Sequence, residues 1–198
     1  MYKAVILDLN GVFLVSPKLS DRVEKDFGVP NSVFLPQLFE IMDKVRQPGA
    51  AKAFTYWQPA LVKWGVTLSE QEWWDYWFKA EVPSEPMITL ARTLRARGIK
   101  VIILSNNFKE RADYYGHYPW LREVADKVYF SWVTGYVKPD ARAWELVLSE
   151  NNLKPEECLY FDDQEKNLNV AAGLGITSHK FTGVEDCQRV IGKSFELP

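Results

Sequence analysis

The chain has 198 residues, 24 of them Lys or Arg and 26 Asp or Glu, for a formal net charge of −2. That length suits one medium domain or a core with a modest insertion, and it can bury a substantial hydrophobic interior. The balanced, interspersed charge carries no nucleic-acid or membrane footprint, and no stretch approaches the roughly 20 apolar residues of a membrane span. The expectation is therefore a protein without nucleic-acid or membrane partners. The apolar run after Lys3 breaks at Asp8, too soon for a secretory signal peptide, so a cytoplasmic location is expected. Cys158 and Cys187 are the only cysteines. They are far apart and lack CxxC spacing, which favours buried free thiols over a disulfide or zinc site.

Ala4 to Leu7 is a short, continuous, β-leaning apolar run, as expected of a strand buried on both faces of a parallel sheet. It ends on Asp8, with Asn10 and Gly11 close behind. Ligands in open α/β sheets bind at strand carboxyl ends, which sets Asp8 at a crevice, although an aspartate here is equally a turn former. From Val15 to about Val82 the pattern becomes helical. Leu19, Val23 and Phe27 form one stripe, and Leu38, Ile41, Met42 and Val45 a second that stops at Gln47-Pro-Gly49. Trp57, Leu61 and Trp64 make a third. Ser69-Glu-Gln-Glu72 reads as a capping box ahead of a fourth, Trp73, Trp74, Trp77 and Phe78. Four helices without a convincing strand predict a small inserted bundle. Its tryptophans fit a bundle core better than a substrate pocket, because so small a unit needs large side chains to pack at all.

Val82 to Pro86 reads as a linker into alternating helices and strands. Met87, Leu90, Ala91 and Leu94 form a helix ended by Gly98, and Val101 to Leu104 a buried strand ending on Ser105-Asn-Asn107. A helix with Arg111 and Tyr115, a helical segment at Pro119 to Val124, a short strand at Val128 to Phe130 and a loop at Gly135 to Pro139 follow. Asp140 is a candidate cap for the helix of Trp144, Val147 and Leu148. Leu159 to Phe161 is a strand ending on Asp162-Asp163. A helix through Leu168 and Ala171, a strand at Ile176 to Ser178 and a helix through Val184, Cys187 and Ile191 complete the chain. This alternation implies right-handed crossovers and a parallel, doubly wound Rossmann-like α/β sheet.

Parallel strands point their carboxyl ends the same way, so Asp8 with Asn10, Ser105 with Asn106, and Asp162 with Asp163 should meet at one edge. Lys138, in a loop before a helix, is a fourth candidate. Singly, each has an ordinary role: Ser105, Asn106 and Asp162 as helix caps, Lys138 as a solvated lysine. Together, an acid, a hydroxyl, a lysine and an acid pair describe a catalytic site.

These stretches resemble the motifs of the haloacid dehalogenase superfamily of hydrolases: Val5 to Val12, Ile103 to Asn106, Gly135 to Pro139, and Tyr160 to Asn167 with Ala171 and Gly175, in the family's order. The texture of Lys-Pro followed by Phe-Asp-Asp and a spaced Asn is similar to the branch containing sugar-1-phosphatases and the phosphatase domain of soluble epoxide hydrolases. The resemblance implies a core of residues 1–15 and 86–198, with a helical cap of residues 16–85 that closes over Asp8 and selects the substrate. It implies a Mg²⁺-dependent phosphatase acting on a small phosphorylated metabolite. Asp8 would be the nucleophile that forms an aspartyl-phosphate. Mg²⁺ would be held by Asp8, the backbone carbonyl of Asn10, and Asp163, with Asp162 in or behind that shell. Ser105 and Lys138 would bind the transferring phosphoryl group, backbone amides near Leu9 and Asn106 would add donors, and Asn167 would orient the acidic loop.

One residue departs from the pattern. Family phosphatases carry an aspartate where this chain has Asn10, and that carboxylate protonates the leaving alcohol and then deprotonates the hydrolytic water. An amide does neither, and the loss costs about 10² to 10⁴ in rate. Three explanations stay open: a phosphatase slowed by Asn10, a catalytically silent relative that binds a phosphorylated ligand or a partner, and a dehalogenase, whose leaving halide needs no proton. The Asp162-Asp163 pair speaks against the last, since carbon–halogen displacement needs no metal. Asn10-Gly11 is also a dipeptide prone to deamidation.

Overall fold

The structure is a computed structural model that describes residues 1–196. Its centre is strand β1 (Ala4–Leu7). β4 (Lys100–Ser105) and β6 (Cys158–Asp162) flank it, with β5 (Lys127–Phe130) and β7 (Thr177–Lys180) outermost, giving the order β5-β4-β1-β6-β7. All four pairings are parallel. The register sets Leu7 opposite Ile103 on one side and Phe161 on the other. One step further, Asp8 lies level with Leu104 and Asp162, at the strand ends.

The unbroken apolar run of β1 follows from burial on both faces. Val5 and Leu7 face a cluster with Val101, Ile103, Leu159 and Phe161, closed by helices α5 (Glu85–Ala96), α7 (Pro119–Val124) and α11 (Val184–Phe195). Ala4 and Ile6 face the opposite cluster with Ile102, Leu104 and Tyr160, closed by α9 (Arg142–Asn151) and α10 (Glu165–Gly173). Period-2 alternation within the strand thus feeds two cores rather than a core and a solvent face.

Between β1 and α5, four helices, α1 (Leu19–Phe27), α2 (Asn31–Val45), α3 (Phe54–Lys63) and α4 (Glu70–Phe78), build a core of their own. Trp57, Trp73, Trp74 and Trp77 are all buried there. Trp57 lies 4.9 Å from Trp73 and 5.7 Å from Phe34, ring centre to ring centre. Phe108, from the loop after β4, lies 5.5 Å from both Trp74 and Trp77 and ties this bundle to the sheet edge. The capping box is present: the Glu72 amide donates to Ser69 Oγ, and the Ser69 amide donates to the Glu72 carboxylate at 2.8 Å.

The structure departs from the sequence expectation at a few short elements. Residues 15 to 82 were expected to hold no strand, yet β2 (Leu14–Val15) pairs antiparallel with β3 (Val82–Pro83), joining the two ends of the insertion. Two residues are too few to show a period. A single helical turn, α8 (Ser131–Thr134), precedes Gly135, whose φ of 81° closes it. Helix α6 (Lys109–Tyr115) lies as expected. Asp140 accepts a hydrogen bond from the Arg142 amide at 3.0 Å, although Ala141 is the residue that caps α9. Both cysteines are free and buried. Among the described residues no helix is long and apolar enough to cross a membrane.

Candidate active site

At the carboxyl edge of the sheet, Asp8, Asp162 and Asp163 bring one carboxylate oxygen each within 4.8 Å of the others. Lys138 reaches them from the loop before α9. Its ammonium lies 2.6 Å from Asp162 Oδ2 and 3.2 Å from Asp8 Oδ1, and its side chain is almost wholly buried. Burying a lysine requires such pairing, and here one ammonium is shared by two carboxylates. Three carboxylates less one ammonium leave two negative charges when all are ionised. Asp163 shows the consequence: burial, then the charges of Asp8 and Asp162, push its carboxyl up to about 6. Burial also raises Asp8, against the attraction of Lys138. Asp162 is held below the usual range, because Lys138 and the hydrogen bonds of Lys138, Tyr160 and Gln164 outweigh its own burial.

Asp8 and Asp162 are each oriented by donors. Asp8 Oδ1 accepts the Leu9 amide at 2.8 Å. That occupies an amide which the sequence reading offered to the phosphoryl group, so the Leu9 donor serves the carboxylate instead. Asp162 accepts from the Gln164 amide at 2.8 Å and from Asn167 Nδ2 at 3.0 and 3.1 Å, and the Tyr160 hydroxyl donates to it as well. Asn167 therefore has the orienting position expected of it. Tyr160 opens the fourth motif stretch but was given no role there; its spacing, two residues before Asp162 on one strand face, is the signal for one. Gly11, at φ 88°, runs so close that an added Cβ would meet Asp163 Oδ2 at 3.3 Å.

This donor set suits a hard divalent cation. Three carboxylate oxygens converge with excess negative charge, and the Asn10 carbonyl accepts no backbone hydrogen bond among the described residues.

Ser105 is buried at the end of β4, beside Asn107 Nδ2 at 2.9 Å. The Asn106 side chain is committed to the backbone of Lys138, accepting its amide and donating to its carbonyl, each at 2.8 Å. It holds the lysine loop in place and leaves its own backbone to line the cavity. Asn10 has a network of its own. Its Oδ1 accepts from Asn107 at 3.0 Å and its Nδ2 donates to the Tyr115 hydroxyl at 2.6 Å. Tyr115 in turn donates to Glu81 Oε2 at 2.6 Å, and Glu81 also pairs with Arg111. Tyr115, Glu81 and Asn107 escaped the sequence reading because a chain of hydrogen bonds across three elements leaves no local pattern. The Gly11 amide, the nitrogen that would attack in deamidation, donates to Leu14 O at 2.8 Å, which opposes that reaction.

Asp8, Asn10, Ser105, Asn106, Lys138 and Asp163 line a cavity of about 710 Å³. From the helical insertion it is bordered by Lys18 and, along α2, by Leu38, Phe39, Asp43 and Arg46. The tryptophans stay out of its lining, so they give the bundle its core and tell nothing of the substrate. His117 and His179 lie outside it too, and His179 stacks on Phe161 at 5.4 Å.

The family model for haloacid dehalogenase-like hydrolases matches residues 2–175. The chain belongs to that family. Mouse acyl-CoA dehydrogenase family member 10 is 28% identical over 99% of the chain, which spans 20% of that protein. Pig bifunctional epoxide hydrolase 2 is 25% identical over 89% of the chain, which spans 36% of it. A solved HAD family enzyme of Bacteroides thetaiotaomicron shares the fold, with a TM-score of 0.80 at 21% identity, covering 96% of this chain and 98% of that one. That enzyme has also been crystallised with magnesium and inorganic phosphate.

Proposed function

We propose that the protein is a Mg²⁺-dependent phosphatase of small phosphate esters, acting through an aspartyl-phosphate on Asp8 and slowed by Asn10. The observation that supports it most is the buried junction of Asp8, Lys138 and Asp162, with Asp163 alongside. The magnesium and phosphate complex of the Bacteroides enzyme lends the same reading support. Asp8, Asp163 and the Asn10 carbonyl would hold the ion, with Asp162 behind them. When bound, it would offset the two surplus charges and the charge of the phosphoryl group.

Asp8 is ionised at neutral pH once that charge is offset, and its carboxylate attacks phosphorus as the ester P–O bond breaks. Lys138 and the Ser105 hydroxyl bind the oxygens of the transferring group. The departing alkoxide needs a proton, and water must later lose one as it attacks the phosphorus of the aspartyl-phosphate. Asn10 supplies neither transfer, so esters with good leaving groups react first and the phosphorylated enzyme accumulates. The four-helix insertion acts as a cap over the cavity, its α2 face meeting the substrate.

The test compares an aryl phosphate, with and without Mg²⁺, against a haloacid. Slow Mg²⁺-dependent phosphate release that Asp8→Asn abolishes supports the reading. Metal-independent halide release would assign a dehalogenase instead, and inertness toward both would assign a binding role.

A further inference from the structure

We infer that the cavity contains a second anion site, formed by the guanidinium groups of Arg46 and Arg111, so that the alcohol released by hydrolysis itself carries a carboxylate or a second phosphate. The inference rests on the phosphatase reading and adds the substrate class to it.

Arg46 follows the last turn of α2 and Arg111 lies on α6, so the two reach the cavity from the helical insertion and from the sheet domain. Arg46 is half-buried. Among the described residues it makes no ion pair and no side-chain hydrogen bond, and its Nε is buried without a partner. Other arginines behave differently: Arg95, half-buried like Arg46, and the more exposed Arg92, Arg142 and Arg189 each hold a carboxylate at 2.5–3.0 Å. A half-buried guanidinium with no carboxylate in contact carries a desolvation cost that the nearby Asp43 offsets only in part, and an arriving anion reduces it further.

Arg111 is prepared for the same ligand. Glu81, itself buried, pairs with one terminal nitrogen, and the guanidinium lies 5.3 Å from the Trp77 ring centre and 5.5 Å from that of Tyr115. That clamp fixes the planar fork while its Nε remains buried and unpartnered. Burial depresses Arg46, with Asp43 pulling the other way and Arg111 repelling it, so the two guanidiniums feel each other. Like charges left facing one cavity favour an anion between them, and planar forks match carboxylate or phosphate through paired hydrogen bonds. Lys138 and Ser105 take the transferring phosphoryl group at the sheet edge, which leaves this second cationic pair for the rest of the molecule.

Calorimetric titration in Mg²⁺ tests this with ester pairs that differ in the distal group: phosphoglycerate against glycerol phosphate, phosphogluconate against sorbitol phosphate, and fructose bisphosphate against fructose monophosphate. Inorganic phosphate reports on the phosphoryl pocket alone. At least one anion-bearing member is expected to bind about tenfold or more tightly than its neutral counterpart, as charge-assisted hydrogen bonds imply. The first two pairs report a carboxylate and the third a phosphate. R46M should bring that ratio close to one, and R46K should leave it between. A ratio cancels changes in the amount of folded protein, and R46K guards against a variant that fails to fold. Ratios near one in the unmodified protein, or a preference that survives R46M, with inorganic phosphate still bound, would overturn the second site alone. If neither inorganic phosphate nor any ester binds in Mg²⁺, the phosphatase reading falls and the second site with it.

Discussion

Asn10→Asp restores the one proton-transfer group that the site lacks, and the surrounding hydrogen bonds set what the change can gain. Asn10 Oδ1 now accepts from Asn107 at 3.0 Å and faces Ser105 Oγ at 3.5 Å, while Nδ2 donates to Tyr115. An aspartate keeps the first two contacts but meets the Tyr115 hydroxyl with an acceptor. That hydroxyl has one proton, presently given to Glu81. Tyr115 is expected to turn toward residue 10, since Glu81 retains Arg111. With the Ser105 proton given to the phosphoryl group, the new carboxylate has two donors, Asn107 and Tyr115, which favour its ionised form and weaken it as a base, against burial and Asp8 pulling the other way. General acid–base catalysis contributes about 10² to 10⁴ in rate, roughly 3 to 5 kcal/mol of barrier. With two donors on the carboxylate, the gain is expected near the lower end, about 10² for alkyl phosphates and less for aryl ones. The assay is phosphate release in Mg²⁺ across alcohols of graded acidity, for both proteins. The unmodified protein should slow steeply as the alcohol becomes less acidic, and the aspartate variant should show a flatter dependence. An Asn10→Asp protein that is folded, no faster on alkyl phosphates and unchanged in that dependence would refute the argument.

Other outcomes follow from the same geometry. Because the Asp163 carboxyl is raised to about 6, the stability it contributes to the metal-free protein is present below its ordinary value near 3.8 and is lost as pH rises through 6. Added Mg²⁺ should therefore raise the melting temperature more at pH 7 than at about pH 5, where protons compete for Asp163; an equal or reversed shift, read by differential scanning fluorimetry, would contradict the metal assignment. Lys138→Met leaves Asp162 buried without its cation and should cost about 3 to 5 kcal/mol of unfolding free energy in a denaturant titration, with Mg²⁺ restoring part of it. Peptide mapping of an aged sample should find Asn10 intact, since the Gly11 amide is held by Leu14 O.

What the chain discloses depends on how local each feature is. Ala4 to Leu7 shows as a doubly buried strand because four consecutive side chains all find cores. The polar residues after β1, β4 and β6 could be placed at one edge because parallel pairing fixes their direction. Leu14–Val15 and Val82–Pro83 could not be seen to pair, since two residues carry no period and the partners lie far apart in sequence. Asn107 and Tyr115 were given no part in the site for a related reason: a buried hydroxyl or amide reads as ordinary core until its partners on other elements are known. The reverse error was possible at Trp57, Trp73 and Trp77, whose number draws attention to a pocket although they serve packing. Arg46 and Phe39, which do border the cavity, look in sequence like solvent-facing positions on a helix stripe.

The central claim is that Asp8 attacks phosphorus. It is tested most directly by mixing the protein with an aryl phosphate and Mg²⁺, quenching in acid within the first turnover, and locating any added phosphoryl group by peptide mass mapping. The expected result is phosphate on the peptide containing Asp8, approaching one per chain, persisting for lack of a base at position 10 and absent without Mg²⁺. Phosphate release with no modified Asp8 at any quench time, or modification at another residue, would contradict it.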